Sequence, residues 1–351
     1  MQPVEALIAK ITPPDSSVAQ AAQAHIDNLT KPLGALGRLE ELALRLAVIR
    51  GSDQLAQPRP AVAVFAADHG VTEAGVSPYP REVTAQMVLN FLAGGAGINV
   101  LARQVGAEVR VVDVGVDCDF DDAPGLKKAK VARGTANLTL GPAMTQDQAV
   151  AAVLVGAETA AELIAGGCDL LVPGEMGIGN TTASACLTSV LTGRDPAQVT
   201  GRGAGLDDPG LANKTAMIQK ALAANPVSAD DPLELLAALG GLEIAAICGY
   251  VLGAAGAGVP VMLDGFISTV GAALAAALCP AAKDYLLGGH RSVEIGHQAL
   301  LDLLGLDPLL DMGMRLGEGT GGMLAVNLVR AAVAIYNEMA TFESAGVSGK
   351  E

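Results

Sequence analysis

The stretch from Asp169 to Ser184 constrains the fold of this chain more than any other part of the sequence. It opens with a short apolar run, Leu170 to Val172, which predicts a buried strand that Pro173 would end. A glycine loop follows, and the polar residues Asn180 and Thr181 then favour the start of a helix. A strand, a glycine loop and a helix start bring free backbone N–H groups to the positive end of a helix, a geometry that receives phosphate.

This loop nearly matches the P-loop pattern of nucleoside-triphosphate-binding proteins. Gly174, Gly179 and Thr181 stand at the spacing of the two glycines and the hydroxyl residue of that pattern. Asn180 takes the lysine position, so the loop fits the single phosphate of a mononucleotide better than a triphosphate. Glu175 lies inside the loop, where its carboxylate would repel phosphate unless it turns toward a sugar or a base. A tight strand-to-helix turn without any ligand is the alternative interpretation.

Strands alternate with helices along the rest of the chain. Further strands are predicted at Ala61 to Ala66, Glu108 to Val114, Val259 to Leu263 and Tyr285 to Leu287. This order predicts an α/β class with a mostly parallel, Rossmann-like sheet flanked by helices. Amphipathic helices at both chain ends predict a small helical subdomain. We therefore expect a helical segment at residues 1–55, an α/β domain at 56–312, and a catalytic loop with a returning helix at 313–351.

Composition and charge exclude several classes of partner. With 351 residues, a formal net charge of −15 and only 3% aromatic residues, the chain can bury a core of small aliphatic residues but does not suit a nucleic acid or an anionic membrane. The five cysteines form no CxxC motif and are predicted to be buried in a reducing compartment. No secretory signal is visible, so a cytoplasmic location is expected.

One segment has the length of a membrane span. Residues Ile244 to Leu263 carry no charge, but glycines and Pro260 interrupt them, and the charged residues Glu243 and Asp264 flank them. We interpret the segment as a helix, a turn and a buried strand, and we predict no membrane span. The charged stretch from Asp117 to Lys130 has mixed signs and is predicted to be a solvated excursion.

Polar residues outside the glycine loop supply further candidates. Asp68 and His69 end the first predicted strand, where open α/β sheets keep their ligands. A metal there would need a third ligand, and none lies at recognisable spacing, so no metal or other cofactor is predicted. Ser77, Tyr79 and Gln86 could line a pocket for an aromatic base or could equally be loop and helix surface.

Cations for a phosphate are sparse near the loop. Arg202 and Lys214 are the candidates, although a helical lysine is commonly just a surface residue. Glu318 stands between two glycines and beside Leu316. Loss of water there would raise the pKa of its carboxylate and make it a usable general base, whereas a solvated loop glutamate is the commoner case.

Four blocks of sequence, taken together and in order, resemble the nicotinate-nucleotide–dimethylbenzimidazole phosphoribosyltransferase family. The similarity extends from about residue 12 to residue 342. The blocks are Lys31-Pro32-Leu33-Gly34-Ala35-Leu36-Gly37, Ala67-Asp68-His69-Gly70-Val71, Gly174-Glu175-Met176-Gly177-Ile178-Gly179-Asn180-Thr181-Thr182 and Arg315-Leu316-Gly317-Glu318-Gly319-Thr320-Gly321.

The resemblance implies a cytoplasmic homodimer that transfers phosphoribose without a cofactor. Its substrates would be nicotinate mononucleotide and 5,6-dimethylbenzimidazole, and its product would be α-ribazole 5′-phosphate for cobalamin synthesis. By resemblance, Glu318 is the general base and Glu175 a second active-site carboxylate. The implied substrate-binding residues are Gly174, Gly177, Gly179, Asn180, Thr181 and Lys214 at the phosphate, and Ser77, Gln86 and Leu316 at the benzimidazole.

The residues alone leave two other functions open. A nucleotide-binding protein without turnover would not need a desolvated base at Glu318. A nucleoside-triphosphate hydrolase is disfavoured by Asn180 and by the lack of a convincing Mg²⁺ site.

Overall fold

A computed structural model describes residues 2–120 and 123–348 of the chain. Within them, the strands are β1 Pro60–Ala67, β2 Glu108–Gly115, β3 Leu126–Lys128, β4 Leu170–Met176, β5 Val261–Leu263 and β6 Leu286–Gly288. The helices are α1 Gln2–Ile8, α2 Ala19–Asn28, α3 Arg38–Arg50, α4 Val83–Leu92, α5 Gly97–Val105, α6 Gln146–Ala165, α7 Asn180–Thr192, α8 Pro196–Val199, α9 Asp208–Ala224, α10 Pro232–Leu239, α11 Leu242–Gly256, α12 Phe266–Leu278, α13 Gly296–Leu304, α14 Thr320–Glu338 and α15 Phe342–Ala345.

The sheet is parallel and has the strand order of a Rossmann fold. The order is β3-β2-β1-β4-β5-β6, and every described pairing is parallel. The chain therefore runs outward from β1 on one side and returns to β4 on the other, which makes a topological switch point between β1 and β4. In such sheets ligands bind outside the carboxyl ends of the strands at the switch point. The predicted α/β class with a mostly parallel, flanked sheet is confirmed.

Strand β4 is longer than predicted, because Pro173 does not end it. The strand pairs with β1 as far as Met176. The N–H of Leu171 points to the β5 side, where it donates to the carbonyl of Pro260 at 3.1 Å. Residue 173 faces the same side two positions later, but the pairing with β5 is confined to Leu171 and Val261. A proline therefore removes no ladder hydrogen bond there, and the strand continues into the glycine loop.

Helices cover both faces of the sheet. Phe65 of β1 contacts the ring of Tyr250 on α11 edge to face at 5.4 Å. Val62 has the other side-chain parity and meets Gly319 at the start of α14. Helices α11 and α6 approach closely enough that a Cβ on Gly156 would lie 1.7 Å from a carbonyl oxygen of α11. The glycine- and alanine-rich composition therefore allows tight helix layers with few aromatic residues.

The two chain ends meet at one side of the molecule. Helix α14 packs on α3 as well as on β4 and β5. Leu29 bridges to Thr341, and the N–H of Thr30 donates to the carbonyl of Ala340 at 2.9 Å. His25 stacks on Tyr336 with its ring nitrogen 2.7 Å from the Tyr336 carbonyl. The subdomain is thus made from both chain ends.

The charged stretch 117–130 is not simply a solvated excursion, and that prediction is wrong in part. Leu126–Lys128 forms the edge strand β3, and the side chains of Phe120 and Ala123 are buried. Lys130 contacts the buried carboxylate of Asp113 at 2.7 Å, so an ion pair holds the stretch against β2. The described residues do not include Asp121 and Asp122 of this stretch. They also do not include Met1 and residues 349–351 of the predicted terminal segments.

Two apolar helical runs in the described chain have the length and composition of a membrane span, 83–105 and Gln146–Ala165. One or two such runs are weak evidence, because core helices have the same composition. Residues Ile244 to Leu263 form most of α11, a turn and β5, as predicted. Of the five cysteines, all are free, four are buried and Cys118 is half-buried.

Candidate active site

A cavity of about 590 Å³ lies at the carboxyl edge of the sheet, across the switch point. Its volume is within the roughly 300–1,000 Å³ of small-molecule sites. The end of β4 and the glycine loop form one wall, and the loop that contains Glu318 forms another. Asp264 after β5 and His290 after β6 also line it, so polar residues at the ends of several strands converge here.

Glu175 points into the cavity from the end of β4. Only 7% of the residue is exposed, and the Asn180 amide donates a hydrogen bond to its Oε2. Burial raises the pKa of Glu175 to about 8, and the charges of Asp264 and Glu243 add to this effect. At neutral pH Glu175 is therefore a neutral acid. It can donate a hydrogen bond to an anionic substrate, which removes the repulsion expected from the sequence.

Glu318 faces the same cavity in a strained backbone conformation. Its φ is +64°, in the left-handed region, and it is the non-glycine residue with positive φ in the described chain. Its Oε2 accepts the N–H of Ile98 at 3.0 Å, and the N–H of Gly97 also donates to the carboxylate. Burial raises the pKa of Glu318, whereas these donors at the start of α5 oppose the rise. The raised pKa expected for this residue is confirmed.

Asp264 organises the loop that carries Glu318. Its Oδ1 accepts the N–H groups of Gly321 at 2.7 Å and Gly322 at 3.2 Å, and its Oδ2 accepts that of Gly319 at 3.2 Å. The carboxylate thus occupies the N-terminus of α14, where unpaired N–H groups and the helix dipole stabilise negative charge. Asp264 fixes the backbone on the C-terminal side of Glu318.

The glycine loop joins β4 to α7, as predicted, but each of its glycines has a different structural role. Gly179, with φ of +94°, is the N-cap of α7, so the helix begins at Asn180 rather than being capped by it. A Cβ on Gly174 would lie 2.3 Å from the carbonyl oxygen of Glu318, so this glycine permits the two loops to touch. Gly177, Gly179 and Thr181 line the cavity. The N–H of Thr181, in the first turn of α7, has no helical acceptor, and it is free to bind a phosphate.

Lys214 lies behind this end of the cavity rather than in its surface. The side chain is fully buried, and its ammonium donates to Thr181 Oγ1 at 2.8 Å and to the Gly201 carbonyl at 3.1 Å. Burial lowers the pKa of Lys214 to about 8, against the influence of Glu294. A buried ammonium whose acceptors are neutral oxygens favours a nearby anion, and Lys214 lies next to two residues that line the cavity, Thr181 and Gly203, whose Cβ position would be 3.2 Å from Nζ.

The other candidate cation, Arg202, turns away from the cavity. It pairs with Asp208 and donates to the Leu206 carbonyl at 2.9 Å. Arg315 instead lines the cavity and donates to the Gly203 carbonyl at 2.9 Å. Glu294, which the sequence did not single out, accepts the Gly203 N–H at 2.9 Å. The sequence near Arg315 and Glu294 gave no signal for these contacts, because their common partner, Gly203, lies about a hundred residues away along the chain.

One part of the cavity lining is apolar. Ser77, Tyr79 and Leu316 line it together with Val83 and Met87. Leu316 is 60% exposed at the rim. Gln86 is exposed on α4, outside the cavity lining. The cavity lining therefore combines a polar part at the glycine loop, an apolar part that includes residues of α4, and the carboxylates of Glu175 and Glu318.

Asp68 and His69 lie beside the glycine loop but not in the cavity wall. His69 Nε2 is 2.6 Å from Oε1 of the buried Glu243, and Asp68 Oδ2 accepts the Asp117 N–H at 2.8 Å. Among residues 2–120 and 123–348, no group of three or more His, Cys, Asp or Glu side chains has the arrangement of a metal site.

A Rossmann-type sheet with a glycine loop, buried carboxylates and a cavity at its switch point is the arrangement of an enzyme that acts on a nucleotide. A family model described as "Phosphoribosyltransferase" matches residues 11–347. The chain belongs to this phosphoribosyltransferase family, and it is therefore an enzyme that transfers a ribosyl group.

Named relatives agree over nearly the whole chain. The nicotinate-nucleotide–dimethylbenzimidazole phosphoribosyltransferase of Geobacter sulfurreducens is 55% identical over 341 residues, 97% of each chain. The enzyme of the same name from Chloroflexus aggregans is 54% identical over 341 residues, again 97% of each. The crystal structure of CobT from Thermus thermophilus superposes with a TM-score of 0.92 at 51% identity, covering 95% of this chain and 99% of that one.

Proposed function

We propose that this protein transfers the 5-phosphoribosyl group of nicotinate mononucleotide to 5,6-dimethylbenzimidazole. The products are α-ribazole 5′-phosphate, for cobalamin biosynthesis, and nicotinate. The observation that carries the proposal is the cavity itself, which Glu318 lines together with a glycine loop suited to one phosphate and apolar side chains suited to an aromatic base.

The nicotinate leaving group needs little help from the protein to depart from the ribose. The nicotinate ring of the mononucleotide is already cationic, so it departs with the electron pair of its bond to C1′ and becomes neutral at its nitrogen. A benzimidazole nitrogen forms the new bond to C1′ from the opposite face, with inversion. The proton on the other azole nitrogen must then leave, and Glu318 accepts it. Orientation of two substrates and one proton transfer suffice.

The polar end of the cavity suits the phosphate. Backbone N–H groups of Gly179 and Thr181 lie at the start of α7, and the phosphate binds them with Gly177 and Asn180 on the loop and Lys214 behind Thr181. Gly174 holds this loop against the Glu318 loop. The neutral acid of Glu175 lines the same cavity, which suits contact with the ribose or with the nicotinate carboxylate.

The apolar end suits the benzimidazole. Ser77 and Leu316 line it, and Gln86 on the exposed face of α4 is assigned to the same end because of the family resemblance. We further propose that the enzyme acts as a cytoplasmic homodimer. Apolar side chains exposed on α4 and α5, Leu89 and Val100, each 53% exposed, support an interface between copies. Sedimentation of a monomer at micromolar concentration would contradict it.

The domain boundaries at residues 55 and 312 are also part of the proposal. They are supported by α14, which packs against α3 in the subdomain and against β4 and β5 in the sheet. A loop that carries the general base at the start of this helix couples the two parts of the chain. Deletion of residues 1–55 should therefore unfold the chain rather than leave an active sheet domain, as circular dichroism would show.

The experiment that tests the function is incubation with nicotinate mononucleotide and a panel of bases, followed by mass analysis. Nicotinate should be released only when 5,6-dimethylbenzimidazole or a similar base is present, in equal amount with the ribazole phosphate. Release at the same rate without a base would show that the acceptor assignment is wrong. Binding of the nucleotide without any product would favour a non-catalytic binding protein instead.

A further inference from the structure

Two buried side chains form an ion pair directly beneath the glycine loop. His69 and Glu243 are both 0% exposed, and their Nε2 and Oε1 atoms are 2.6 Å apart. Although burial opposes it, the charge of Glu243 raises the pKa of His69, which favours the protonated imidazole. The mechanism described above uses neither residue. A buried ion pair is costly to form, so its place in the fold requires an explanation.

Glycines allow the loop backbone to rest on this pair. A Cβ on Gly177 would lie 3.3 Å from both Glu243 Oε1 and His69 Cδ2, and 2.6 Å from the carbonyl oxygen of Ala67. A Cβ on Gly241 would lie 2.4 Å from His69 Cε1. Since neither glycine has a side chain, the pair touches backbone on two sides. The His69 imidazole and the Glu243 carboxylate therefore set the distance between the loop backbone and the sheet.

A hydroxyl close to Asp68, the residue before His69, holds the loop from a second side. The N–H of Ile178, at the middle of the loop, donates to Thr84 Oγ1 at 3.1 Å. Burial raises the pKa of Asp68, and an interaction with the Thr84 hydroxyl opposes the rise. Asp68 is itself held by the Asp117 N–H at 2.8 Å. The hydroxyl of Thr84 thus holds the loop backbone from the side, near the carboxylate at the end of β1.

We propose that Asp68, His69, Thr84 and Glu243 are positioning residues for phosphate binding. They hold Gly177, Ile178 and Gly179 from below and from the side, so that the N–H groups of the loop and of the first turn of α7 converge on one phosphate. The inference rests on the proposed function, because it takes nicotinate mononucleotide as the ligand. It accounts for the Asp68-His69 sequence without a metal.

The test replaces Thr84, which is fully buried and does not line the cavity. Thr84→Val keeps the shape but leaves the Ile178 N–H without its acceptor, whereas Thr84→Ser keeps the hydroxyl. Calorimetry should show nicotinate mononucleotide binding weakened on the order of 10-fold in Thr84→Val and restored in Thr84→Ser. The Michaelis constant for the dimethylbenzimidazole base should not change in either variant.

A matched control separates positioning from general damage. Thr159→Val also removes a fully buried helical hydroxyl, one that donates to the Val155 carbonyl at 2.8 Å on α6, remote from the loop. It should bind the nucleotide like the parent. Should Thr84→Val fail to fold, Glu243→Gln makes the same test from beneath the loop, with Tyr250→Phe on the same helix as its control.

The outcomes distinguish this inference from the function on which it rests. An unaltered protein that does not bind nicotinate mononucleotide contradicts the proposed function. Binding by the parent and equal binding by Thr84→Val would overturn the positioning role alone. The positioning role is likewise overturned if Thr84→Ser is as weak as Thr84→Val, if Thr159→Val is as weak, or if the Michaelis constant for the base rises in parallel.

Discussion

At the scale of single residues, three of the carboxylates that line the cavity differ in their hydrogen-bond donors and surroundings, and these differences decide what each can do. Asp264 accepts three backbone N–H groups at the start of α14 and so fixes the backbone of the Glu318 loop. Glu318 accepts two at the start of α5 but also loses water, and its pKa is raised. Burial and the nearby charges of Asp264 and Glu243 raise the pKa of Glu175 to about 8. Environments that differ in this way assign acid and base roles to chemically identical groups.

Glu318→Gln tests the base assignment. The amide keeps the size of the side chain and can still accept the Ile98 N–H, so the fold and both substrate affinities should persist. Loss of a general base typically lowers turnover by about 10²- to 10⁴-fold. Single-turnover formation of α-ribazole 5′-phosphate with both substrates saturating measures this directly. Turnover at the parent rate would remove Glu318 from the mechanism and make Glu175 the next candidate.

Lys214→Met tests the phosphate end. A charge-assisted contact is worth roughly 1.5–3 kcal/mol, so the KM for nicotinate mononucleotide should rise by about one to two orders of magnitude while that for the base stays constant. Because the pKa of Lys214 is about 8, affinity of the parent enzyme for the nucleotide should also fall above that pH. The variant should show a smaller alkaline loss, because only the ionisation of Glu175 remains in that pH range. An unchanged KM would assign Lys214 a purely structural role behind Thr181.

At the scale of elements, local sequence predicted the order of strands and helices but not the contacts between them. The strand, glycine loop and helix of the central stretch are present, since their signals lie within a few residues of one another. The effect of Pro173 was predicted wrongly because its tolerance depends on where β5 diverges from β4. The raised pKa of Glu318 was predictable from its glycine neighbours, whereas its donor Ile98 lies 220 residues away. Such distant pairs leave no local pattern.

Asp264→Asn tests how α14 holds the Glu318 loop. The amide nitrogen would face a backbone N–H in place of an acceptor oxygen, so the turn that holds Glu318 at positive φ should relax. We expect a loss of about 0.5–2 kcal/mol in the free energy of unfolding and a lower kcat. Asp231→Asn is the matched control, because Asp231 caps α10 through a single bond to the Glu234 N–H. Asparagine caps a helix equally well there, so that variant should keep both stability and rate. Equal behaviour of the two variants would contradict a special role for Asp264.

On the scale of the whole molecule, the acidic cavity makes stability depend on pH. The folded pKa of Glu175 is about 8, against an ordinary value of 4.5. Between these values the folded state holds a proton that the unfolded state has released, so the free energy of unfolding falls as pH rises through this window. Each pH unit costs at most about 1.4 kcal/mol for one proton. His297 and Lys214 act in the opposite direction, but below pH 6.5 and above about pH 8 respectively, because their folded pKa values are lowered.

Glu175→Gln isolates this contribution between pH 6.5 and 8. Glutamine keeps the hydrogen-bonding size of the neutral acid and cannot ionise, so the variant should lose less stability than the parent over that interval. The expected difference is at most about 2 kcal/mol, from about 1.5 pH units of a single proton. Denaturant unfolding at several pH values measures it for both chains. The raised pKa of His69 also lowers the free energy of unfolding as pH rises. Because His69 is present in both the parent and the variant, its contribution cancels in the comparison. Parallel curves for the two would show that Glu175 is already ionised at neutral pH, and its contact with an anionic substrate would then have to be repulsive rather than a donated hydrogen bond.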